Sequence, residues 1–127
     1  MPHVLALVSD LMFLSRIREA ARGAGLEVRT LRRAADLPTA AREGGRLVLL
    51  DAEDARLPWS EAVAALRAEP DVAELSVVAF FSHVHNEHAQ AAQAAGCDRI
   101  LARGALMREL PRLLAAAAES TVLREKP

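Results

Sequence analysis

A chain of 127 residues has room for one domain with one core, and not for a catalytic domain beside a separate recognition domain. Its residues are 52% hydrophobic, 26% charged and 3% aromatic with no Tyr, the mix of a soluble globular protein packed by alanine and aliphatic side chains. The 16 basic and 17 acidic residues give a formal net charge of −1, without the basic excess usual in nucleic-acid binders, and the one Lys, Lys126, lies near the C-terminus.

The predicted elements alternate along the chain. Val4 to Val8 is a continuous apolar run, as expected of a strand covered on both faces. Ser9 and Asp10 follow as capping residues. Leu14, Ile17, Ala21 and Ala24 then recur at helical spacing, with Gly23 and Gly25 as stop signals. Leu26 to Leu31 alternates as a more exposed second strand, Asp36 to Arg42 is a short helix, and Leu47 to Leu50 is an apolar third strand ending at Asp51. Trp59 to Ala68 forms a helix with Ser60 as candidate N-cap. Val77 to Phe81 is a fourth strand, Asn86 to Ala95 a helix ended by Gly96, and Ile100 to Ala102 a fifth strand. Met107 to about Ala118 is the last helix, with Pro111 near its first turn, where a missing N–H is tolerated. Residues 1–118 thus form one domain, and 119–127 a polar tail expected to fray.

Strands that alternate with helices require right-handed crossovers and a parallel sheet covered on both faces. The expected fold is α/β: a flavodoxin-like, doubly wound three-layer (βα)5 sandwich with strand order 2-1-3-4-5. Sites in such sheets form at the carboxyl ends of the strands. Here those ends carry Ser9 and Asp10, Asp51, Ser82 and His83, and Arg103. Asp10 and Asp51 close adjacent strands, so their carboxylates should lie side by side. A divalent cation such as Mg²⁺ would relieve their repulsion, or Arg103 would pair with Asp51 directly. Each Asp also has a plain structural reading as a turn former or helix cap.

Leu49-Leu50-Asp51 and the stretch Ala94-Ala95-Gly96-Cys97-Asp98-Arg99-Ile100-Leu101-Ala102-Arg103 resemble the response-regulator receiver domains, and the resemblance covers about residues 3 to 118. It implies a phosphoacceptor at Asp51 and a Mg²⁺ site formed by Asp10, Asp51 and the backbone carbonyl of Glu53. Three family positions are altered. Ser9 replaces the first member of the acidic pair at the end of the first strand. Phe81 occupies the Ser/Thr position, with Ser82 one residue late, and Arg103 replaces the lysine. One carboxylate fewer weakens a metal site, and arginine's planar fork differs from lysine in reach and geometry.

Other features carry less. His83, His85 and His88 form an HxHxEH run that is similar to the HxHxDH metal motif of the metallo-β-lactamase superfamily, but the further ligands of that superfamily are missing and the run falls where a loop enters a helix. Trp59 is a candidate partner contact, or a helix-start residue folded over the core. Cys97 reads as an inert buried thiol, and as the one cysteine it excludes an internal disulfide. From Arg16 to Arg33 there are six Arg against Glu19 and Glu27, while the stretch from Asp51 to Glu74 is acidic. No apolar stretch approaches the roughly 20 residues of a membrane helix, and no leader precedes the first strand. The expectation is a cytoplasmic, non-enzymatic, stand-alone receiver-like domain without an output module. It works through a protein partner, an unknown kinase or effector, and through a homodimer, without regulated phosphorylation. The alternative is a working single-domain regulator phosphorylated on Asp51 with Mg²⁺.

Overall fold

The computed structural model describes residues 2–119. The elements run β1 (His3–Leu7), α1 (Leu11–Gly23), β2 (Glu27–Thr30), α2 (Asp36–Arg42), β3 (Gly45–Asp51), α3 (Trp59–Arg67), β4 (Val77–Phe81), α4 (Asn86–Ala95), β5 (Arg99–Ala102) and α5 (Arg103–Glu119). The five strands form one parallel sheet in the order β2-β1-β3-β4-β5, the flavodoxin-like arrangement predicted from the alternation.

Alternate residues of the central strands face opposite layers, so each strand is apolar throughout. Leu5, Leu7, Val48, Leu50, Val77, Ala79 and Phe81 pack against Leu37 of α2, Val63 and Leu66 of α3 and Ala92 of α4. Val4, Ala6, Leu47, Leu49, Val78 and Phe80 pack against Phe13, Leu14 and Ile17 of α1 and Leu106, Leu110 and Leu114 of α5. Gly45 opens β3 where no side chain fits: a Cβ there would lie 2.6 Å from Leu5 Cδ1 and 2.9 Å from Ala41 Cα.

Helices α5 and α3 differ from the sequence expectation. Helix α5 starts at Arg103 and not at Met107, so β5 passes into it without a loop. Pro111 therefore lies inside the helix, where it lacks the N–H that would reach the Met107 carbonyl. Helix α3 is capped by Pro58, with no side-chain cap, and the Ser60 hydroxyl goes to Glu61 instead. Of the expected tail, residues 120–127 lie outside the described residues.

The end of α3 carries a side chain that ties three segments together. The Arg67 guanidinium donates to the carbonyls of Ala73 (2.6 Å), Leu75 (2.6 Å) and Gly96 (2.7 Å) and to the Asp98 carboxylate (2.8 Å). Asp98 in turn accepts the N–H of Val77 at 2.7 Å, which fixes the entry to β4. Gly96 ends α4 in the left-handed region at φ 109°, so its carbonyl turns toward Arg67. Arg67→Met takes this donor from the three carbonyls and from Asp98 and should lower unfolding stability by on the order of 3 kcal/mol in urea titrations, with Arg67→Lys recovering only part because it lacks the fork.

Candidate functional site

The sheet's carboxyl edge gathers the charged residues that the buried strands cannot hold. Asp10 is the N-cap of α1: its Oδ1 accepts the N–H groups of Met12 (3.0 Å) and Phe13 (3.1 Å). Asp51, the last residue of β3, is 5% exposed and is the buried charged side chain among the described residues. Its Oδ1 accepts the Glu53 N–H at 3.0 Å. Arg103 projects from the junction of β5 and α5. Its guanidinium donates to Asp10 Oδ2 at 3.1 Å and stands 3.5 Å from Asp51 Oδ2. The same group lies over two aromatic faces, 4.6 Å from the Phe13 centroid and 5.6 Å from that of Phe80, rings that themselves pack 5.0 Å apart. Asp10 therefore acts as cap and site member at once.

These contacts set the protonation of the pair in opposite directions. The Phe13 N–H, followed by Arg103, holds Asp10 below the ordinary carboxylate value. Burial pushes Asp51 up, against the opposing pull of the Glu53 N–H and Arg103. Glu53 turns its carboxylate to the end of β4, accepts the Ser82 N–H at 2.7 Å, and is held low by the Ser82 backbone and hydroxyl. Phe81 is buried among the α2–α4 core side chains, and the His88 imidazole stacks on it at 4.8 Å, tilted by 8°. The residue in the hydroxyl position faces the core.

Two residues that sequence reasoning missed complete the site. The loop after β3 folds back so that the Ser9 hydroxyl donates to Asp54, and Arg56 grips Asp54 through Nε (3.0 Å) while reaching Ser9 Oγ at 2.9 Å. Arg56 first, then Ser9, hold Asp54 far below the ordinary carboxylate range. The run Glu53-Asp54-Ala55-Arg56 directly after a strand end was the available signal. It reads only as surface charge until the loop's path back to β1 is known. Together with Asp10, Asp51 and Arg103 these residues line a shallow polar pocket of about 270 Å³.

The receiver resemblance implies Mg²⁺ here, and the donor set does not fit it. Each oxygen of Asp10 and Asp51 already faces a backbone N–H or the Arg103 guanidinium. Ser9 supplies a hydroxyl where a second carboxylate would stand, and that hydroxyl is turned to Asp54. The cation that neutralises the pair is the guanidinium itself.

The remaining candidates lie apart from this pocket. His83 and His85 are exposed and His88 is half-buried, and among the described residues no three His, Cys, Asp or Glu side chains gather as a metal-holding group. Trp59 is half-buried against the core on the α3 side, as a helix-start residue. Cys97 is buried, and its thiol is pushed up to about 11. Among the described residues no helix is long and apolar enough to cross a membrane.

Because burial raises Asp51, its ionised form is worse accommodated in the folded chain than in the unfolded one. Asp51→Asn should therefore unfold at higher denaturant concentration than the parent at neutral pH. The gain should shrink as pH falls through the raised folded value and vanish below the ordinary carboxylate range, as followed by denaturant midpoints across an acid pH series.

No family model and no curated protein sequence matches the chain. Solved structures do. Response regulator RPA3017, in red light signaling of R. palustris, is 20% identical over 91% of this chain and 93% of its own, with a TM-score of 0.72. A response regulator from Hahella chejuensis matches at 15% identity over 100% of both chains with a TM-score of 0.74. The Vibrio cholerae chemotaxis protein CheY4 matches at 20% identity over 89% of this chain and 98% of its own, with a TM-score of 0.70. This chain has the fold of the response-regulator receiver domains.

Proposed function

We propose that the chain is a receiver-like signalling domain that acts by protein–protein contact, its acidic site held neutral by Arg103 without regulated phosphorylation. The observation that carries this reading is the Arg103 guanidinium spanning Asp10 and Asp51. A phosphoryl group on Asp51 needs a carboxylate oxygen free to attack phosphorus and form the acyl phosphate, and donors placed to receive the new charge. Here Asp51 Oδ2 faces the guanidinium, and Phe81 brings no hydroxyl. An arginine keeps the charge of the lysine it replaces but anchors it as a planar fork between two carboxylates. On this reading the domain is not an enzyme, resides in the cytoplasm and serves a protein partner, a kinase or an effector. It self-associates through the face of α4, β5 and α5. A Mn²⁺-bound form is known of response regulator Rcp1, 17% identical to this chain. The altered donor set here supports the metal-independent mode.

Beryllofluoride with Mg²⁺ tests the reading directly. No binding at millimolar concentrations is expected by isothermal calorimetry, and Mg²⁺-dependent binding that Asp51→Asn abolishes would establish the phosphorylated alternative instead. Arg103→Ala leaves the two carboxylates without their counter-charge. It should lower thermal stability in metal-free buffer and regain it in millimolar Mg²⁺, whereas the parent's melting temperature stays unchanged by Mg²⁺.

A further inference from the structure

Strand β2 is an edge of the sheet: it ends the order β2-β1-β3-β4-β5 and pairs with β1 alone. The N–H groups of Glu27 and Leu31 donate to the Pro2 and Ala6 carbonyls at 3.1 and 2.9 Å, so residues 27, 29 and 31 turn their backbone groups to β1. Val28 and Thr30 turn theirs outward, and among the described residues no strand covers that side. Beside this edge, where α1 ends and β2 begins, runs a groove of about 450 Å³ lined by Arg18 and Arg22 of α1 and by Gly25, Leu26, Glu27 and Val28. Val28 is half-buried against the α1-side core and gives the groove an apolar floor. The Glu27 carboxylate lies 3.7 Å from His3 Nε2, toward the face of the sheet that α1 does not cover. Arg18 and Arg22 are both exposed and stand four residues apart on one face of α1, and neither is engaged by an acid among the described residues. The groove therefore joins an open backbone ladder to two unneutralised guanidinium groups.

We infer that β2 accepts an extended segment of a protein partner as a sixth strand, and that this segment carries acidic side chains at alternate positions to meet Arg18 and Arg22. The repeats match: four residues of a helix rise about 6 Å, and two residues of a strand advance about 6.7 Å. An added strand presents every second side chain to the α1 face, so its carboxylates fall at the spacing of the two arginines. The outward N–H and C=O groups of Val28 and Thr30 supply main-chain affinity, and the guanidinium forks supply the preference for acids. A second copy fits this edge less well. Two-fold pairing of β2 with β2 keeps both α1 helices on one face of the joined sheet and sets their arginines against each other. The edge lies across the sheet from β5 and Arg103, so this docking does not depend on whether Asp51 is phosphorylated.

The test is selection of a random peptide library on the whole chain. The expected consensus has Asp or Glu at positions i and i+2. A synthetic consensus peptide should bind at least tenfold more weakly to Arg18→Glu and to Arg22→Glu. It should bind nearly normally to Arg16→Glu, whose side chain lies on the other side of α1 beside Asp10 and Phe13. With the peptide bound, hydrogen exchange of the Val28 and Thr30 amides, followed by NMR, should slow at least tenfold. No enrichment, a consensus without alternating acids, or binding indifferent to both charge reversals overturns the proposal. Unslowed exchange at Val28 and Thr30 overturns the added strand whatever the consensus. A doubled mass by light scattering with those two amides protected assigns the edge to a second copy, and binding of a random oligonucleotide in place of peptides assigns the arginines to nucleic acid; either result overturns it as well.

Discussion

Burial of the sheet on both faces is the constraint from which the rest of this structure follows. Beyond His3 and Arg46 at the starts of β1 and β3, strands β1, β3 and β4 carry almost no accessible surface, so a charged side chain farther along any of them would face an apolar layer without water. Charge can enter only where a strand ends. Parallel strands all end on the same side, and β1, β3 and β5 therefore deliver Asp10, Asp51 and Arg103 to one edge. The site is a consequence of how the core is built, and the same packing fixes its dimensions. Phe13 and Phe80, both core residues, form the floor under the guanidinium.

At that edge the electrostatics are settled locally. Burial makes Asp51 harder to ionise than a free carboxyl group, and the groups that offset the penalty are one backbone N–H and one guanidinium. Asp10 is bound by two helix N–H groups before Arg103 adds to it. The guanidinium has the reach to serve both because it presents donors on a fork, whereas an ammonium would act as a single point charge. Asp54 and Arg56 repeat the pattern on the other rim with Ser9 between them. The pocket thus contains four acids and two arginines, and each acid meets a donor of the fold, whereas Arg103 Nε is left without an acceptor.

Elsewhere an arginine does structural work of the same kind. Arg67 collects carbonyls from the loop before β4 and from the end of α4, so α3, α4 and β4 are registered to one another through one side chain. With a single Lys near the end of the chain, arginine forks supply the basic contacts of the described fold apart from that of His3 with Glu27. That places planar, multi-donor groups at positions where several acceptors converge.

The sequence by itself determined the fold class, the strand order and the edge on which a site would form, because apolar runs and helical spacing are local consequences of what each segment must bury. Asp10, Asp51 and Arg103 were legible for the same reason: each stands where an apolar run stops. Ser60 as a cap and Met107 as a helix start were misread, because capping and helix onset at those points are set by Pro58 and by the direct passage of β5 into α5. Only the tertiary structure decided which groups pair. That Arg103 serves both carboxylates, that Glu53 turns to the Ser82 N–H, and that Asp54 and Arg56 close over Ser9 depend on side-chain directions and on a loop path. A partner 45 or 93 residues away leaves no mark on local spacing.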